Sequence, residues 1–133
     1  MILRHVALVC SSEEKADKFY GGLLNLEKRP PKKLPAALSK RLFNLSKSLK
    51  IINYLDEHNH FEIFIHESPA VTTGKIEHVC IEVPNIEKFL ENAIALKSKV
   101  RQVPKGSKTI TFIWDFDGNL FEIKSNTLVD PSV

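Results

Sequence analysis

Two glutamates and two histidines are the residues of this chain whose types and spacing could do chemistry together. Glu62 lies in FEI at 61–63 and Glu122 in the same tripeptide at 121–123, each just after a polar turn. His5 opens HVALVC and His78 opens HVCIEV, both alternating runs that read as strands. Alternation puts His5, Ala7 and Val9 on one face, opposite Val6, Leu8 and Cys10. It puts His78, Cys80 and Glu82 opposite Val79, Ile81 and Val83. Glu62 and Glu122 likewise stand back to back with the apolar sets Phe61–Ile63 and Phe121–Ile123. Any one such residue is ordinary on the wet face of a sheet. The expectation of a site comes from their symmetry. Imidazole nitrogens and carboxylate oxygens are ligands for a divalent metal, and without a thiolate they suit nickel, zinc, manganese, iron or cobalt. A metal so held acts as a Lewis acid on chelated substrate oxygens, and a nearby glutamate can serve as the base that moves a proton.

The elements that must position these residues form an internal repeat. After the first strand comes SSEEKADKFYGGLL, where Ser11 and Glu14 have capping-box spacing. Ala16, Phe19, Tyr20, Leu23 and Leu24 follow at helical intervals, with Gly21–Gly22 weakening the last turn. After the second strand comes PNIEKFLENAIALK, with Asn85 as N-cap and the stripe Ile86, Phe89, Leu90, Ala93 and Ile94. The ends repeat as well. INYLDEHNHFEIF (52–64) is set against FIWDFDGNLFEIK (112–124) without a gap, which places Tyr54 opposite Trp114, Asn59 opposite Asn119 and Glu62 opposite Glu122. Expected elements are strand 2–10, helix 12–24, irregular chain 27–36, helix 36–48, and strands 49–55 and 61–66. Strand 76–83, helix 86–97 and strands near 99–103, 109–114 and 120–125 follow. The fold class is α+β: two paired βαβββ modules forming a curved open mixed sheet, in one domain 1–133, with modules about 1–67 and 75–125 and a short C-terminal tail. DFDGN is a hairpin turn in which Gly118 or Asn119 takes positive φ, not a calcium loop. His58 and His60 fall in the matching turn and are expected to be solvated, while His66 shares a face with Glu62 and is the alternative ligand.

From histidine to glutamate the first module needs 57 residues and the second 44. The surplus falls at residues 28–50, which hold eight basic groups and no acid, so the rest of the chain is net acidic although the whole carries +3. Pro30, Pro31 and Pro35 precede Leu38, Leu42, Leu45 and Leu49 at helical spacing, predicting an amphipathic helix inserted in the first module, apolar face inward and basic face in water. Arg29, Lys32 and Lys33 are candidates to receive an anionic substrate group, against the plainer role of a solvated basic face. One aromatic in the segment, Phe43, and no recognised motif argue against nucleic acid as a partner. No apolar run approaches the length of a membrane span, and the two cysteines, Cys10 and Cys80, lack the spacing of a zinc site or disulfide framework. A cytoplasmic protein without membrane or nucleic-acid partners is expected.

The residues HVALVCSSEEKADKFYGGLL, HVCIEVPNIEKFL and FIWDFDGNLFEIK, with the FEI at 61–63, resemble the vicinal oxygen chelate superfamily. That superfamily includes glyoxalase I, fosfomycin-resistance proteins, extradiol dioxygenases and bleomycin-resistance proteins. The resemblance covers nearly all of the chain except 28–50 and the tail 126–133. It implies metal ligands on the first and last strand of each module, here His5, Glu62, His78 and Glu122. That order is the pattern of bacterial-type glyoxalase I, whose metal is commonly nickel or zinc and whose acid–base pair would correspond to Glu62 and Glu122. A lyase or isomerase acting on a small-molecule substrate, with one divalent metal per site and a homodimeric assembly, is implied. The arginine and asparagine contacts of that enzyme to glutathione thiohemiacetals have no counterpart, because the proline- and lysine-rich insert replaces their region. Two alternatives stand beside it: an Fe(II) extradiol-type dioxygenase using His5, His78 and Glu122, against which the fourth carboxylate argues, and a metal-free protein that sequesters a ligand.

Overall fold

In a computed structural model, residues 3–67 and 78–125 are described. The chain divides into two units, Met1–Pro69 and Ala70–Val133, each taken here by itself. Residues 2 and 76–77 of the expected strands, and the tail 126–133, lie outside the described residues.

The first unit opens with β1 (Val6–Cys10), and His5 sits just ahead of it. Helix α1 (Glu13–Ala16) starts at Ser12, whose side chain accepts from the Lys15 backbone N–H, so the cap is Ser12 and not Ser11. The helix does not continue as α to residue 24. It widens into a π-helical segment, Asp17–Leu23, closed by the Leu24 N–H donating to the Phe19 carbonyl at 2.9 Å. The spacing that predicted the apolar stripe still holds, since Ala16, Phe19, Tyr20 and Leu23 are all buried. They cover the sheet face that carries Ile52, Tyr54, Phe61 and Ile63, and Tyr20 packs against the rings of both Tyr54 and Phe61.

Residues 27–36, expected to be irregular, contain two short strands, β2 (Glu27–Lys28) and β3 (Lys32–Leu34), both antiparallel to β4 (Leu49–Leu55). Pro30 and Pro31 fall between them, and the lysines of β3 are exposed at the sheet margin, where proline and charge are tolerated. The inserted helix α2 spans Ala36–Phe43, shorter than 36–48, because Asn44 takes a left-handed φ of 57° and ends it. Its inward residue is Ser39. Leu38 and Leu42 of the predicted stripe face solvent, as does Phe43. The sheet closes with β5 (His60–Ile65), parallel to β1 and antiparallel to β4.

The second unit repeats the plan: β6 (His78–Val83), α3 (Ile86–Ala95), β7 (Val100–Lys105), β8 (Lys108–Trp114) and β9 (Leu120–Ser125). Its strand order, β6-β9-β8-β7, matches the order β1-β5-β4-β2 of the first unit. Asn85 caps α3 by accepting from the Lys88 N–H. Ala93 is buried under the helix, with Ile113, Phe121 and Ile123 buried in the sheet, while Ile94 is exposed.

Register corrects the gapless alignment of the two ends. Glu62 stands opposite Asn53 on β4, and Glu122 opposite Phe112 on β8. The turn after β4 has four residues (56–59) and the turn after β8 has five (115–119). Tyr54 therefore corresponds to Ile113, both fully buried, and not to half-buried Trp114. The extra residue lies between an aspartate and an asparagine that both turns share. Asp56 accepts from the His58 and Asn59 backbone N–H groups, and Asp115 from those of Asp117 and Asn119. Each asparagine amide also donates to its aspartate. In the longer turn Gly118 takes φ 85°, as its sequence implies.

Candidate functional site

The second unit brings His78 and Glu122 together. Parallel pairing sets Cys80 beside Glu122 and His78 beside Leu120, so the histidine is one pleat away on the same face. His78 Nε2 lies 3.5 Å from Glu122 Oε2, with side-chain exposures of 37% and 23%, so both reach solvent. Phe112, the opposite neighbour of Glu122, presents its ring edge-on to His78 at 5.9 Å. Trp114, further along the same face, lies under Lys99 and Arg101, at 4.5 Å and 5.3 Å from its ring centre. Partial burial, and then the Glu122 carboxylate, push the Cys80 thiol above its ordinary range. It is held as a thiol and is not an activated nucleophile.

The first unit places its pair differently. His5 is exposed at the mouth of β1, and its ring lies 5.4 Å from that of His60. Ala7 is the lateral neighbour of Glu62. His5 and Glu62 line one cavity of about 460 Å³, together with Ala7, Leu8, Val9, Phe43, Leu45, Leu49, Phe64 and His66. His60, expected in the turn, is instead the first residue of β5 and half-buried, its Nε2 2.7 Å from Asn53 Oδ1. Strand alternation from Glu62 would have found it, since residues 60, 62, 64 and 66 share a face. His58 is solvated as expected. His66 also lines this cavity, four residues along the chain from Glu62.

The basic candidates stand elsewhere. Arg29 pairs with Glu27 at 3.3 Å, while Lys32 and Lys33 line a separate hollow of about 400 Å³ with Pro31, Ser48 and Lys50. None of the three lines the His5–Glu62 cavity. A second cationic feature went unread in the sequence: a cleft of about 480 Å³ in the second unit, lined by Gln102, Lys105, Lys108, Thr109, Thr111 and Lys124 together with Glu122. Its lysines are scattered along three strands, so no charge run announces them.

The donors suit a divalent ion by type, one imidazole and one carboxylate from each unit, with no thiolate needed. Among the described residues, no group of three or more His, Cys, Asp or Glu side chains could hold a metal ion. No described helix is long and apolar enough to cross a membrane.

No protein-family model and no curated protein matches the chain. Solved structures do. The fosfomycin resistance protein FosX from Listeria monocytogenes is 18% identical at TM-score 0.71, covering 97% of this chain and 96% of that one. A glutamate-to-glutamine mutant of that protein, complexed with Mn(II) and 1S,2S-dihydroxypropylphosphonic acid, is 19% identical at TM-score 0.70, covering 96% and 94%. A glyoxalase family protein from Enterococcus faecalis is 20% identical at TM-score 0.69, covering 92% and 95%. The fold is thus shared with these fosfomycin resistance and glyoxalase family proteins.

Proposed function

We propose, from a fold shared with fosfomycin-resistance and glyoxalase-family proteins, that this chain is a metal-dependent enzyme of small oxygen-bearing substrates, with His5, Glu62, His78 and Glu122 as the metal ligands. The observation that carries it is the His78–Glu122 pair at 3.5 Å, with Glu62 on the matching strand of the other module and His5 just ahead of its first strand. A divalent ion there would supply Lewis acidity toward substrate oxygens.

The chain's own groups would do the rest. Glu62 and Glu122, both half-buried, would be the bases. One would take a proton from the carbon beside a substrate carbonyl and the other would return it, giving the lyase or isomerase outcome of glyoxalase I. The edge of Phe112 braces the His78 ring and limits its rotation away from Glu122.

The complex of the Listeria FosX mutant with Mn(II) and a phosphonate favours a second reading, manganese and a small phosphonate. The lysine-bearing cleft beside Glu122 is where such an anion would be held. Metal loading tests both readings, and turnover separates them. Chain supplemented in turn with nickel, zinc, manganese, iron or cobalt, then desalted, should retain one ion per chain by elemental analysis. Glu122→Gln and His78→Ala should each weaken retention at least about tenfold, or ~1.4 kcal/mol. Stoichiometric metal should accompany conversion of a glutathione thiohemiacetal in the first reading and turnover of a phosphonate in the second. Absence of any near-stoichiometric metal, or wild-type retention in Glu122→Gln, sinks both and leaves the ligand-sequestering alternative.

A further inference from the structure

The cavity beside His5 and Glu62 has a composition that restricts what can enter it. Its walls are Ala7 and Val9 from β1, Phe64 from β5, Leu49 from the start of β4, and Phe43 and Leu45 from the insert. None of the residues lining it is a lysine or arginine. The polar side chains among its lining residues are His5, Glu62 and His66. Glu62 and His66 are four residues apart on one chain face, so at the ordinary strand rise the apolar stretch between them is about 13 Å long. Phe43, the last residue of the inserted helix, meets Phe64 edge-on at 5.5 Å and forms one wall. A concave space of about 460 Å³, mostly apolar with a few convergent polar groups, is of the size and make-up of a small-molecule site.

We infer that the substrate carries an extended apolar group, an alkyl chain or a fused aromatic, that lies in this cavity with its oxygen-bearing end at His5 and Glu62. The inference rests on the proposed function for the reacting end, while the apolar group is read from the cavity alone. It assigns the insert a role: Phe43 and Leu45 supply a wall that a plain βαβββ module lacks. A small polar anion would find no lysine or arginine among the residues lining this cavity.

The neutral fluorophore N-phenyl-1-naphthylamine tests it on the full chain. One saturable site per chain is expected, displaced by octan-1-ol and not by methylphosphonate. Phe43→Asp, which puts a charge on the wall, and Ala7→Trp, which fills the floor, should each weaken binding about tenfold or more. Both positions are exposed, so neither change should unfold the chain, and far-UV circular dichroism verifies this. Chelated protein and Glu122→Gln should bind the fluorophore as the native chain does. Loss of metal with the fluorophore site intact would therefore count against the metalloenzyme alone. Three results would overturn the inference: no saturable site, unchanged affinity in both variants, or a site count that falls as the chain self-associates because a second copy covers the cavity.

Discussion

Glu62 and Glu122 sit in the same tripeptide on equivalent strands, yet one faces an amide across the sheet and the other an aromatic ring. That difference lies in the residues themselves, since each glutamate faces the position two residues before the end of its partner strand, and the aspartates of the turns differ just as sharply. Asp115 is 5% exposed and accepts from two backbone N–H groups and the Asn119 amide, at 3.0, 2.8 and 2.6 Å. Asp56 makes the same bonds on an exposed turn, where burial raises its pKa but the N–H donors of His58 and Asn59 outweigh this and leave it lowered. Water can replace Asp56 but not Asp115. Asp115→Ala should therefore cost about 2–3 kcal/mol, and Asp56→Ala less than about 1 kcal/mol, in denaturant unfolding. Equal losses would mean that the buried cage contributes nothing of its own. The positive φ of Gly118 and the shared face of His78 and Glu122 were legible in the residues. The place of His60 was not, because it was counted with the turn rather than with the strand it begins.

Among elements, the start of α1 is tied to two strands by charge. Glu13 receives Lys28 at 2.5 Å and Lys50 at 2.9 Å, and Lys28 also reaches Asp17. Hydrogen bonds from these lysines hold the Glu13 carboxyl down at about 2. The Tyr54 hydroxyl donates to Asp17 at 2.7 Å, and burial, then this bond, hold it well above its ordinary value. A depressed carboxylate stabilises the fold above its unfolded value of 4.5 and loses that contribution as pH falls toward 2. Native chain should thus be more stable than Glu13→Gln at pH 7, and the gap should close between pH 4.5 and 2 in thermal unfolding. A gap independent of pH would assign the effect to packing. None of this network shows in the sequence, since its members are 15 and 37 residues apart. Periodicity likewise placed a helix at 12–24 but could not tell α from π, because both bury the same residues over so short a span. The insert's leucines misled for a related reason: four at helical spacing predict a stripe, but Asn44 ends the helix after Phe43 and leaves Leu45 and Leu49 to other elements.

At the scale of the whole molecule, the strand order shared by both units made the fold legible without any matching family model. Identities of 18–20% with solved structures leave little to align, while repetition within one chain supplies its own comparison. The length of the insert and the cavity walls it builds were not legible, because apolar side chains are brought together there from three parts of the chain.

The unequal turns, four residues in one module and five in the other, also bear on how such a chain can change. Glu62 and Glu122 are placed by parallel pairing to β1 and β6, on the side away from the turn. A residue gained or lost in the turn is taken up before that pairing begins. Grafting the 56–59 turn in place of 115–119 should leave His78 beside Glu122 and metal retention unchanged, whereas a deletion inside β9 should abolish both. Length in that turn should therefore be free to change while the strands beyond it keep their register.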